Sequence, residues 1–194
     1  MKTILTLLFL LAMVLVNGQR LGDISSYLNN PRVIKDAKDY YRGKFRASDD
    51  TRTFNICDKI NAKKSDTLLP FYLLCFSKIL VKADGALSEA ACDYTYEASL
   101  NNTIYLGRFF LENPQVKKLY LNEWLKSVAD GIQFNSDFAS YKKEIKLNIK
   151  NATAEIQKFW NDFMIRVGKI ILSTIPPSPA PCPATHLTAA LLFR

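Results

Sequence analysis

The chain of 194 residues carries 26 Lys and Arg against 18 Asp and Glu, a formal charge of +8, with 48% hydrophobic residues, four Cys and one His. That length and apolar content suffice for one domain with its own core. His186, the lone histidine, lies near the C-terminus, so a His-rich metal site or a Ser-His-Asp or Cys-His nucleophile is not expected.

Residues 1–18 join Lys2, an apolar run from Ile4 to Val16 and the pair Asn17-Gly18, the pattern of a cleaved secretory signal peptide. The Asn- and Lys-rich composition and a leader ending just before Gln19 resemble, in style alone, envelope proteins of Bacteroidota. Secretion, or a Gram-negative periplasm, is the expected location. A single helical domain is expected over 19–175 and a Pro-rich, disordered tail over 176–194. No transmembrane segment follows the leader, because no later apolar run reaches about 20 residues. The positive charge favours acidic partners. Lys and Arg are spread along the chain rather than gathered in an arm, so nucleic acid is not expected.

Asp23 to Leu28 reads as a short amphipathic turn or helix. Asn30-Pro31 is a cap and first-turn signal for a helix to about Arg42, closed by Gly43. Ser48-Asp49-Asp50 caps the next, in which Phe54, Cys57 and Ile60 recur at a spacing of three. The fold is organised around 68–83, an apolar helix with Asp66 or Thr67 as cap and Pro70 in its first turn. Within Phe71–Val81 only Ser77 and Lys78 are polar, which predicts burial on all sides. Gly85 closes that helix and Ser88 caps the following one.

The helix from Glu89 to about Asn102 places Glu89, Asp93 and Glu97 at i, i+4 and i+8, an acidic stripe with Asp84 at its head. These four residues, with Thr95 and Tyr96 interleaved, are the candidate binding surface. Acids near a helix start also have an ordinary electrostatic role there. Cys92, Tyr94 and Ala98 turn inward. Ile104–Leu111 forms another helix. Asn113-Pro114 opens a further one, with Val116, Leu119, Tyr120, Trp124, Leu125 and Val128 inward and Gly131 at its close. From Phe138 to Ile170 apolar residues step by three or four without proline, predicting one long amphipathic helix over about 137–172. Its outer face bears Lys142, Lys143, Lys146, Lys150 and Lys158. At 1.5 Å per residue it spans roughly 50 Å, so it overhangs the domain or bends near Asn148–Asn151.

Cys75 and Cys92 flank the central turn and form the first-ranked disulfide pair; buried free thiols fit equally well. No cysteine pair has CxxC spacing, and GxGxxG, GxxxxGK[ST] and HExxH are absent. No cofactor or metal is therefore expected. Asn101-Asn102-Thr103 and Asn151-Ala152-Thr153 match the glycosylation sequon.

An all-α bundle of about six helices follows. Its first expected function is that of an exported protein-interaction module, such as a periplasmic inhibitor or immunity-type protein, with an unidentified protein partner. The contact surface is then Asp84–Glu97 or the lysine face. A helical carrier of a lipid or other apolar ligand, walled by Phe, Tyr and Leu, is the alternative. An envelope hydrolase using carboxylates alone stands third.

Overall fold

A computed structural model describes residues 21–61 and 67–174. The leader, Asp66, Cys182, His186 and the Pro-rich tail lie outside the described residues. Those described form nine α-helices and no strand. They are α1 Ile24–Asn29, α2 Lys35–Tyr41, α3 Thr51–Cys57, α4 Leu69–Leu80, α5 Gly85–Asn101, α6 Thr103–Glu112, α7 Pro114–Asn135, α8 Phe138–Asn148 and α9 Ala154–Thr174. A 3-10 turn, Asp58–Asn61, prolongs α3.

Local chemistry explains most helix starts. Asp23, Asp50 and Asp137 each accept backbone amides of the first turn they cap, at α1, α3 and α8. At Asn30-Pro31 the expected helix does not begin. The Asn30 side chain accepts the Arg32 amide at 2.9 Å and its carbonyl accepts that of Val33, which makes a turn, and α2 starts only at Lys35. Gly43, at φ 72°, ends the segment as expected.

In α4 every residue but Lys78 is buried. The Lys78 ammonium sits 4.4 Å from the Tyr41 ring centroid. No side chain caps this helix; Leu68, not Thr67, is its N-cap. Helix α5 starts at Gly85 rather than after Ser88, since Gly85 at φ 44° turns the chain directly from one helix into the next. Ser88 lies inside α5, where its carbonyl accepts the Cys92 thiol at 3.1 Å.

Around α4 the aromatic side chains pack on one another. Trp124 meets Phe76 and Phe110 edge-on, and Phe110 stacks on Phe159. The Trp124 indole donates to Ser77 Oγ at 2.9 Å, and Ser77 in turn donates to the Leu73 carbonyl at 2.7 Å. Leu119, expected inward, is 64% exposed. Gly131 does not close a helix, because α7 runs on to Asn135. It lies where α7 crosses α5 so closely that a Cβ would sit 2.6 Å from the Cys92 carbonyl oxygen.

The long helix expected over 137–172 is two helices. The chain leaves α8 at Asn148 and re-enters helix at Ala154. Asn148 Nδ2 donates to the Leu100 carbonyl at 2.8 Å, and Gln157 Nε2 donates to the carbonyls of Ile149, Lys150 and Ala152. The Gln157 bonds satisfy carbonyls that an unbroken helix would have paired itself, while that of Asn148 ties the corner to α5.

The Cys75–Cys92 disulfide is not formed: Cys57, Cys75 and Cys92 are all free and buried. The two sulfurs face different neighbours. Cys75 points at the Ala37 carbonyl on α2, whereas Cys92 points back along its own helix to Ser88. Burial pushes the Cys57 and Cys75 thiols up to about 12, so both are protonated at neutral pH.

Candidate functional site

The acidic stripe of α5 runs beside α3 and its 3-10 extension. Between them lies a cleft of about 560 Å³ lined by Phe54, Asp58, Asn61, Asp93, Tyr94 and Glu97, with Ala90 completing the wall. Capping by Asp50 sets the start of α3 and so puts Phe54 on the cleft side. The tighter 3-10 winding after Cys57 carries Asp58 and Asn61 toward α5.

Among the described residues each carboxylate is steadied by one neutral donor. Tyr94 donates its hydroxyl to Asp58 at 2.7 Å, Asn61 Nδ2 to Glu97 at 3.0 Å, and Asn135 Nδ2 to Asp93 at 2.8 Å. The Asn135 amide also reaches the Gly131 carbonyl at 3.0 Å, which anchors it to α7. Burial first, then the hydrogen bond to Asp58, pushes the Tyr94 phenol well above its ordinary range, so it stays neutral and donating. The Tyr94 ring rests edge-on against Phe76 of α4, which fixes its direction. Asn61 Oδ1 is shielded from solvent and has no hydrogen-bond donor among the described residues.

Among the described residues no lysine or arginine lines this cleft. Three carboxylates, each with lone pairs to spare, therefore face two aromatic rings across an open space. Carboxylates beside ring faces suit an ammonium or guanidinium group, which pairs with the former and stacks on the latter. No group of three or more His, Cys, Asp or Glu side chains among the described residues is arranged to hold a metal ion.

The stripe read from the sequence is thus divided. Asp93 and Glu97 join the cleft; Asp84 and Glu89 are exposed outside it, and neither carboxylate has a hydrogen-bond or ion-pair partner among the described residues. Thr95, read as part of the acidic face, is fully buried and shares a 2.8 Å hydrogen bond with Ser127 of α7. Tyr94, read as inward, is a cleft wall. Asp58, Asn61 and Asn135 went unread because they come from other elements, and only tertiary packing gathers them.

The lysine face is divided too. Lys142, Lys143 and Lys146 lie on α8 and Lys150 in the turn after it. Lys158 belongs to α9, on the rim of a separate open trough of about 740 Å³ floored by Leu111, Leu121, Phe159 and Phe163. No helix among the described residues is long and apolar enough to cross a membrane.

No protein-family model matches this chain, and neither curated proteins nor solved structures give a significant match.

Proposed function

We propose that this chain is a protein-interaction module whose docking point is the acidic, aromatic-walled cleft between the Thr51–Asn61 segment and α5. The partner presents a lysine or arginine side chain, which enters between Phe54 and Tyr94 and pairs with Asp58, Asp93 and Glu97. One observation carries the reading: among the described residues, three carboxylates with neutral donors alone line one cleft that no basic side chain enters, in a protein of net positive charge. Charges so placed select partners and guide encounter more than they add affinity. The leader pattern at 1–18 supports reading the module as an exported one, and the proposal takes it as of periplasmic-inhibitor or immunity type.

Capture from the native envelope tests this with two baits, the wild type and an Asp58→Asn/Asp93→Asn/Glu97→Gln variant. A stoichiometric protein partner held by the first and lost by the second is expected, with retention falling as salt rises. Equal capture by both baits, or none by either, would overturn the proposal.

A second reading, carriage of an apolar ligand, draws on the trough beside Phe159 and Phe163. Native mass spectrometry of protein purified from its source is expected to retain a lipid if that reading holds, and bare protein would sink it.

A further inference from the structure

The outward face of α8 gathers basic side chains, as that of α5 gathers acidic ones. Lys142, Lys143, Lys146 and Lys150 fall within nine residues of one another, with Glu144 as the single acid among them. None of the four forms an ion pair among the described residues; Lys142 instead lies 5.3 Å from the Phe138 ring centroid of its own first turn. By contrast the outer face of α9 alternates, with Glu155, Lys158, Asp162 and Arg166 in succession, as a solvated helix face ordinarily does.

A second feature separates this face from a plain basic stripe. Leu147 is 63% exposed and stands among the lysines, with Lys143 one turn before it, Lys146 beside it and Lys150 three residues on. Helical geometry sets Tyr141 and Ile145, both buried, on the opposite side of α8. The cationic side is therefore held outward by the packing of the other. Along about 16 Å of helix, the protein presents long flexible cations ringing one apolar side chain. A soluble polyanion satisfies the cations and gains nothing from the leucine. A bilayer surface with anionic headgroups satisfies both, since lysines pair with phosphates while a leucine enters the acyl boundary.

We propose that this face, centred on Leu147, docks the protein reversibly onto an anionic phospholipid surface. It uses residues separate from the acidic cleft and stands or falls without the partner proposed there.

The test is co-sedimentation of the full chain with vesicles of phosphatidylcholine alone or mixed with phosphatidylglycerol. Binding only to the mixed vesicles, weakening as salt rises, is expected. Lys143→Gln/Lys146→Gln/Lys150→Gln should lower the partition coefficient roughly 100-fold, at about fivefold per lysine. A control with equal net charge, Lys82→Gln/Lys118→Gln/Lys169→Gln, should bind like the wild type, because those lysines lie elsewhere on the surface. Leu147→Gln should lower vesicle binding about threefold to fivefold while leaving retention on heparin unchanged. The substituted side chains are all exposed, Lys169 on the border of a shallow surface hollow, and circular dichroism checks that each variant folds. Wild-type binding that ignores phosphatidylglycerol would overturn the proposal, as would equal losses in the two triple variants. Loss of vesicle binding in the α8 triple variant with no effect of Leu147→Gln would assign the face to a soluble polyanion instead.

Discussion

Asp39 shows how much one side chain can hold in this fold. It is only 4% exposed, and its carboxylate is paired with Lys35, with Lys44 at 3.1 Å and with Arg52 at 3.5 Å. Hydrogen bonds from Lys35 and Lys44 pull its pKa down to about 2. A carboxylate more acidic folded than unfolded stabilises the fold above its unfolded value of about 3.9, and that contribution is lost as pH falls toward the folded value. Urea midpoints of the wild type should therefore drop between about pH 4 and pH 2 more steeply than those of Asp39→Asn. Parallel curves would mean that the cluster contributes nothing. Gly131 gives a second residue-scale prediction, and its sign is the informative part. In an exposed helix interior Gly→Ala stabilises by roughly 0.5–1 kcal/mol. Here the new methyl meets a backbone carbonyl and the Tyr96 Cβ, neither of which can swing aside. Urea denaturation of Gly131→Ala should show a loss of about 1–3 kcal/mol. From the sequence Gly131 reads as a helix end because glycine ordinarily punctuates; its actual reason is a neighbour about forty residues away, for which no local signal exists.

At the scale of elements, the cap at Asp50 and the glycine turn at Gly43 were readable because their partners lie within three residues in sequence. The α8–α9 corner was readable only as one of two alternatives, a bend near Asn148–Asn151 or an overhang. Ile149 and Ile156 are both buried, so the spacing of three and four carries straight through a corner whose two arms face the same core. Periodicity reports which side is buried and is silent on whether the axis bends. The deciding bonds come from Asn148 to α5 and from Gln157 to the corner, and both are polar side chains invisible to a hydrophobic pattern. Gln157→Leu should cost about 1–3 kcal/mol by urea denaturation, because it strips the donor from three carbonyls. An unchanged midpoint would show that water replaces the amide freely.

For the molecule as a whole, the all-helical class and the central place of α4 follow from composition and spacing. Nine helices stand among the described residues against about six expected; the joint at Asn102 is legible in the sequence, whereas the corner at 148–153 reads there only as a bend within one long helix. Half of the acidic stripe was legible, because Asp93 and Glu97 share a helix face. The rest of the cleft needed α3 and α7 to be folded against it. The cysteine chemistry is likewise global. Cys57, Cys75 and Cys92 should resist a thiol reagent in the native protein at pH 8 and all react in denaturant; labelling of any of the three under native conditions would show a local opening into the core.

The burial of α4 on every side also orders events in time. Helices α2 and α3 cover one flank, but Trp124 of α7, which closes the other, is made only after some forty further residues have been joined. A growing chain reaches it a few seconds later, at about 5–20 residues per second. During that interval the most apolar helix of the protein stands half-dressed at the ribosome. A pause anywhere before α7 prolongs the state that chaperones recognise and that aggregation consumes.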